Sequence, residues 1–310
     1  MDIERVVAER GFTGVVRIDQ AGAVEFERGY GFDLDTRLGI ASGTKGLTAV
    51  VTASLVADGA LALATPARAL LGRDLPLIAD DVMVEHLLAH RSGIGDYLDE
   101  DAGLYVERWS LPVGPGALTT TADYLAVLDG FPAKFPAGRA FSYCNSGYVV
   151  LALLAERATG LSFYDLVQER VCEPAGMTAT DFLRGDRLQP DAGAGRLADG
   201  RSNTANLPER GSGDGGIFTT VADVRAFWCA LFAGRLVTEE WVIRLTTPQS
   251  ERYGMGFWLD PPRPVAILEG CDAGVSFRSI HNHATDSTYT VIADTTDGAW
   301  PIARLLADLP

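Results

Sequence analysis

Apolar and polar positions alternate along residues 14–28, GVVRIDQAGAVEFER, and Gln20, Ala21 and Gly22 supply turn chemistry, so a β-hairpin is expected there. A third strand is expected to end near Ile40. The period then lengthens. In SGTKGLTAVVTASLVADGAL the positions Leu47, Val50, Val51, Ser54, Leu55 and Asp58 recur at helical spacing, and Gly59 stops the run. Ser42 therefore sits where a strand gives way to a helix. Helical segments broken by Pro- and Gly-rich loops follow, at 82–89, 122–128, 147–159 and 163–171. Residues 184–210 hold much Gly, Asp and Asn without a period and read as a long surface loop. A helix at 220–233 precedes strand-like runs at 265–268, 276–281 and 289–294, and a closing helix is expected over 300–309.

Strands near both ends around a helical middle predict an α/β (α+β) fold: one sheet from residues 1–65 and 205–310, flanked by helices, with residues 66–204 inserted as a mainly helical lobe. A chain of 310 residues is long enough for a substantial core in that arrangement. No run of about 18 apolar residues occurs, so no membrane span is expected. The opening MDIERVVAER scatters charges where an export signal needs an unbroken apolar stretch, which points to a cytoplasmic address. Cys144, Cys172, Cys229 and Cys271 are far apart and form no C-x-x-C pair, so reduced thiols are expected. A net charge of −15 argues against nucleic acid and anionic membranes as partners and leaves small molecules. The oligomeric state is not written in these residues.

One feature of the composition bears on chemistry. Of 26 basic residues, only Lys45 and Lys134 are lysine. Arginine keeps its proton near neutral pH, whereas a desolvated lysine can lose it and act as a base. Ser42-Gly43-Thr44-Lys45 is a Ser-x-x-Lys element at the mouth of a helix, and residues three apart share a helix face, so the amine can reach the hydroxyl. The helix start also leaves the Ser42 N–H free to face a developing oxyanion. The ordinary reading of such a tetrapeptide is an N-cap serine followed by a solvated lysine. A hundred residues on, Tyr143-Cys144-Asn145 gives Tyr-x-Asn. Beside serine and lysine, a tyrosine can relay a proton to a leaving group and an asparagine can bind a substrate amide by both ends.

With these motifs in this order, the chain resembles the serine β-lactamase and penicillin-binding-protein superfamily, most closely its branch of class C β-lactamases, D-peptidases and family VIII esterases. Residues 87–93, LLAHRSG, resemble the family's Leu-Leu-x-His-Thr-Ser-Gly, and 135–147, FPAGRAFSYCNSG, its Pro-Gly-x-x-Phe-x-Tyr-Ser-Asn. Residues 173–177 resemble its Pro-Leu-Gly-Met turn and 215–223 its Gly-Gly-x-x-Ser-Thr-x-x-Asp segment. The resemblance implies a β-lactamase-like fold with an antiparallel sheet. It also implies an acyl-enzyme on Ser42, with Lys45 and Tyr143 moving the proton, Asn145 in the second motif, and no metal or organic cofactor.

The third motif departs from the family. Where relatives carry Lys-Thr-Gly or His-x-Gly, this chain has Leu268-Glu269-Gly270, then Cys271. The resemblance then assigns the second oxyanion N–H to Cys271. The missing cation weakens the case for substrates with a carboxylate. Glu269, if it faces the site, would favour neutral esters or amides, or substrates with a free amine. The expected activity is that of a serine hydrolase on small esters or amides, an esterase or amidase more than an efficient β-lactamase. The competing readings are a non-catalytic member that binds a ligand or partner through the old cleft, and an acyltransferase. Three other signals are weak. GSGDGG at 211–216 fits G-x-G-x-x-G but lacks the strand before it and the prompt helix after it. His281 and His283 would offer two metal ligands without a third. No Gly-x-Ser-x-Gly elbow is present.

Overall fold

The computed structural model describes residues 2–103, 106 and 111–307. After helix α1 (Ile3–Arg10), the predicted hairpin forms as β1 (Gly14–Gln20) and β2 (Ala23–Tyr30). The next strand, β3 (Leu38–Gly39), leads into a 3-10 turn (Ala41–Gly43) and helix α2 (Thr44–Ala57). The middle of the chain holds α3 (Ala67–Leu71), α4 (Val84–Leu88), α5 (Leu125–Leu128), α6 (Asn145–Thr159), α7 (Phe163–Val167) and α8 (Glu173–Ala175). Then come β4 (Phe218–Thr219), α9 (Val221–Phe232), α10 (Glu239–Thr246), β5 (Trp258–Leu259), β6 (Val265–Asp272), β7 (Val275–Asn282), β8 (Ser287–Ala293) and α11 (Ala299–Ala307).

The main sheet is antiparallel, in the order β2-β1-β8-β7-β6-β5. It joins the two chain ends because β1 lies against β8, with Val15 opposite Ile292 and Ile18 opposite Tyr289. Both faces are covered, so apolar residues occupy alternate positions on each side. On one face Val16, Ile18, Val265, Ile267, Ile280 and Val291 pack with Ile302 and Leu306 of α11. On the other, Val15, Ala266, Leu268, Phe277 and Ile292 belong to the larger core that holds α2, α6 and α9. Helix α2 is buried along nearly its whole length, from Thr44 to Leu55, which suits a helix at the centre of a core.

The structure departs from the sequence reading in several places. The strand near Ile40 is two residues long and pairs with β4 in a separate ribbon. Helix α6 starts at Asn145, two residues before the expected 147, because the buried Asp96 carboxylate accepts from the N–H groups of Asn145 and Ser146, each at 2.9 Å. That tertiary cap satisfies the helix start from a distant loop. Helices α1 and α10 and the edge strand β5 were not anticipated, since eight residues or fewer carry little periodic signal. Of the closing helix, 308 and 309 lie outside the described residues. Among the described residues, no helix is long and apolar enough to cross a membrane. The four cysteines are unpaired. His281 stacks on Trp228 and bonds Thr288, while His283 stacks on Phe232, so both imidazoles serve an aromatic ladder.

Candidate active site

Ser42 lies in the 3-10 turn that joins β3 to α2, directly after Ala41, whose φ of 44° is in the left-handed region. A non-glycine residue there stores local strain, held by the buried neighbours on both sides. Lys45 follows one turn later and is 2% exposed. Its Nζ lies 2.8 Å from each of three oxygens: Ser42 Oγ, Asn145 Oδ1 and the Asp214 carbonyl. The Lys45 ammonium also lies 4.9 Å from the centroid of the Tyr143 ring. Ser42, Lys45, Tyr143 and Asn145 thus meet in one place, although 100 residues separate Lys45 from Asn145.

Tyr143 is half-buried, its ring between His90 at 4.3 Å and Trp258 at 5.8 Å. Burial, reinforced by the Glu100 carboxylate, holds its phenol well above the usual tyrosine range, with the Ser42 hydroxyl as an opposing hydrogen-bond partner. The phenol therefore keeps its proton in the free site.

His90 was not singled out from the sequence, although it sits in the LLAHRSG segment. It is buried, with a φ of 53°, and burial followed by the Lys45 charge holds its imidazole well below the usual histidine range. The neutral ring accepts from the Cys144 N–H at Nδ1 (3.0 Å), so Nε2 carries the proton and donates to Tyr253 Oη (3.1 Å). Tyr253 in turn meets Tyr148 Oη at 3.3 Å, and Tyr148 donates to the Leu88 carbonyl at 2.7 Å. This directed chain fixes the imidazole against the Tyr143 ring. Tyr253→Phe removes the middle hydroxyl and leaves the Nε2–H buried without an acceptor, at a cost of about 1–3 kcal/mol. Thermal unfolding should show a lower Tm for that variant; an unchanged Tm would remove the chain from the list of contacts that position Tyr143.

Two expectations about substrate contacts are corrected. Asn145 does not offer its amide to a substrate by both ends: Oδ1 accepts from Lys45, and Nδ2 donates to the Leu98 carbonyl (2.9 Å) and Glu100 (3.2 Å). It holds Lys45 in place. Glu269 does not face Ser42. Side chains alternate along β6, and Val265 and Ile267 point to the α11 side, so Glu269 and Cys271 do too. There Glu269 pairs with Arg278 at 3.0 Å and the Cys271 thiol donates to the Thr296 carbonyl. Gly270 and Asp272 occupy the opposite face. Gly270 presses on the Ser42 turn so closely that a Cβ would fall 2.1 Å from the Ile40 carbonyl and 2.7 Å from the Ser42 nitrogen.

The glycine-rich run 211–216 also proves to be part of the site. Asp214 accepts Lys45 through its carbonyl, Thr48 Oγ1 donates to the Gly213 carbonyl at 2.6 Å, and Thr44 Oγ1 accepts from the Ile217 N–H at 3.2 Å. A Cβ on Gly213 would meet the Tyr148 carbonyl at 2.2 Å, so glycine is needed for this close approach to α2 and α6. In the sequence its glycine density and its overlap with the 215–223 segment were the signals for it. The cleft above Ser42 is open to solvent and runs between this segment, the 97–100 loop and the end of β6.

Comparison with known proteins agrees with this geometry. Esterase EstB of Burkholderia gladioli is 34% identical over 167 residues, covering 52% of this chain and 42% of that protein. A D-aminopeptidase of Cereibacter sphaeroides is 26% identical over 307 residues, 91% of this chain and 56% of that protein. The chain spans between 42% and 65% of the length of the first curated relatives it matches. A crystal structure of a penicillin-binding protein from Bacillus halodurans superimposes with a TM-score of 0.91 at 29% identity, covering 98% of each chain. The model of the Beta-lactamase family matches residues 2–267, from helix α1 into strand β6, a span that holds Ser42, Lys45, Tyr143, Asn145 and Asp214. This chain belongs to the Beta-lactamase family.

Proposed function

We propose that the chain is a serine hydrolase that cleaves small esters or amides through an acyl-enzyme on Ser42. The observation that carries this reading is the set of oxygens around Lys45 Nζ. Asn145 Oδ1 and the Asp214 carbonyl can only accept, so they take two of the lysine protons and aim the third tetrahedral position at Ser42 Oγ. As a neutral amine, Lys45 presents its lone pair there and removes the hydroxyl proton. As an ammonium, it donates back to the same oxygen.

Attack by Ser42 Oγ on the substrate carbonyl forms a tetrahedral oxyanion, which the N–H groups of Ser42 and Cys271 stabilise. The ladder supports the second assignment. Strand β5 meets β6 only at Ala266 and Ile267, so the far end of β6 is a free edge on that side. Asp272 and Val275 close a two-residue turn as a bonded pair, so the next pair, Cys271 and Ser276, is a non-bonded one and the Cys271 N–H points out to that edge. Tyr143, which keeps its phenolic proton, passes a proton to the leaving group and is recharged through Lys45. Water then attacks the ester of Ser42 by the reverse path.

In this reading the chain forms two lobes. Residues 1–65 and 205–310 supply Ser42, Lys45 and Asp214, while residues 66–204 supply Tyr143 and Asn145. The unpaired cysteines support a reducing, cytoplasmic setting. The relatives named as an esterase and a D-aminopeptidase support esters and amides as the substrate class. A fluorophosphonate probe followed by peptide mass spectrometry tests the reading. One adduct per chain on the peptide containing Ser42 is expected, and an unlabelled Ser42 with no turnover of p-nitrophenyl acetate would overturn it.

A further inference from the structure

We propose that Asp272 determines the specificity of the Ser42 cleft, selecting esters or amides whose acyl portion carries a protonated amine next to an apolar side chain. The inference rests on the hydrolase reading and adds its substrate class.

Asp272 ends β6 on the same face as Gly270, the residue whose backbone touches the Ser42 turn. Two residues along a strand advance about 6.6 Å. The Asp272 carboxylate is also close enough to Lys45 and Asp214 for both to act on its charge, so it borders the part of the cleft next to Ser42. Among the described residues, the ionisable side chains of the cleft lining are Glu100, Asp214, Asp272 and the tyrosines, with no cation; Cys271 borders it with its thiol turned to the other face of β6. Two of the three carboxylates are already engaged by the protein: Glu100 accepts from Asn145, and Asp214 accepts from the Tyr97 hydroxyl at 2.5 Å. Asp272 interacts with the neighbouring Ala273 N–H and otherwise faces the cleft. It is therefore the group available to a ligand.

Burial and the nearby Asp214 push the Asp272 carboxyl up to about 7. Its ionised form is disfavoured there by burial and the like-charged Asp214, only partly offset by Lys45, and a substrate ammonium would favour it. Another part of the lining is apolar, built from Leu98, Leu183, Leu188, Leu207 and Phe218. A ligand that satisfies both walls is amphipathic: a cationic amine at the Asp272 end and a hydrocarbon or aromatic group against the leucines. A substrate carboxylate would meet the acidic end with nothing to pair it.

The alternative role for Asp272 is that of a plain counterion to Lys45, and the experiment separates the two. Hydrolysis by the full chain is measured on phenylalanine p-nitroanilide in both enantiomers, on its N-acetyl derivative and on 3-phenylpropionyl p-nitroanilide, with p-nitrophenyl acetate as the reference for Ser42 chemistry. The wild type is expected to prefer the better free-amine enantiomer over the amine-free analogue by at least about tenfold in kcat/KM. Asp272→Asn, which keeps the shape, should collapse that ratio to near one, chiefly through KM, and Asp272→Lys should reverse it. Because a variant could fold poorly, phenethylamine is also tested as a competitive inhibitor of the wild type, and weaker inhibition by its N-acetyl form is expected. Turnover of p-nitrophenyl acetate with no preference for the amine would overturn the proposal and leave the hydrolase reading standing. So would an equal loss on all substrates in Asp272→Asn. An unlabelled Ser42 with no turnover of any substrate would overturn both.

Discussion

Ser42→Ala is expected to lower kcat by about 10⁵-fold or more on every ester or amide that the wild type hydrolyses. The reason is covalent: in the proposed mechanism Oγ is the atom that bonds the acyl carbon, and no other hydroxyl or thiol at this position can replace it. The Cys271 thiol points to the other face of β6, and burial with the nearby Asp272 charge raises it to about 12, far from a reactive thiolate. The cleft, the Ser42 N–H and the Lys45 network survive the change, so substrate binding should persist with little effect on KM. Stability should fall by only about 1 kcal/mol, the worth of the lost hydrogen bond to Lys45. Single-turnover kinetics beside a thermal melt would show both effects. Turnover within tenfold of the wild type would place the nucleophile elsewhere.

Lys45→Arg and Lys45→Met form the second pair, with an expected loss of about 10³-fold in kcat for each. The two variants ask different questions. If Lys45 served only as a positive charge, arginine would retain much of the activity. If it takes the Ser42 proton, arginine fails as methionine does, because a guanidinium stays protonated. Methionine is the closer fit in shape but leaves Asn145 Oδ1 and the Asp214 carbonyl without their donor in a buried site, at a cost of about 2–5 kcal/mol. Thermal melts therefore accompany the kinetics. A substantially active, folded Lys45→Arg would refute the base role.

How much of this site the chain reveals in one dimension depends on how local each part is. Ser42 and Lys45 are one helical turn apart, so their contact follows from helix geometry alone, and the scarcity of lysine marked the position before any fold was known. Tyr143 and Asn145 were legible through the order of motifs along the chain. Asp214, Asp96 and His90 were not: Asp214 acts through a backbone carbonyl that any residue could supply, and the Asp96 carboxylate and the His90 ring bond backbone N–H groups of a distant segment, partners that leave no mark in the sequence. Glu269 and Asp272 show the sharpest limit. Both are acidic and close in sequence, and only the phase of β6 relative to the sheet decides which of them faces the nucleophile.

By itself the sequence determined the hairpin, the strand-to-helix junction at Ser42, the helical middle and the candidate residues Ser42 and Lys45, since these depend on periodicity and on residue types a few positions apart. The tertiary structure alone decided the phase of β6, the use of Asn145 as a brace for Lys45, and the acidic and apolar walls of the cleft. Those features depend on which faces are buried against which, and packing between segments a hundred or more residues apart is not encoded in any short stretch of either one.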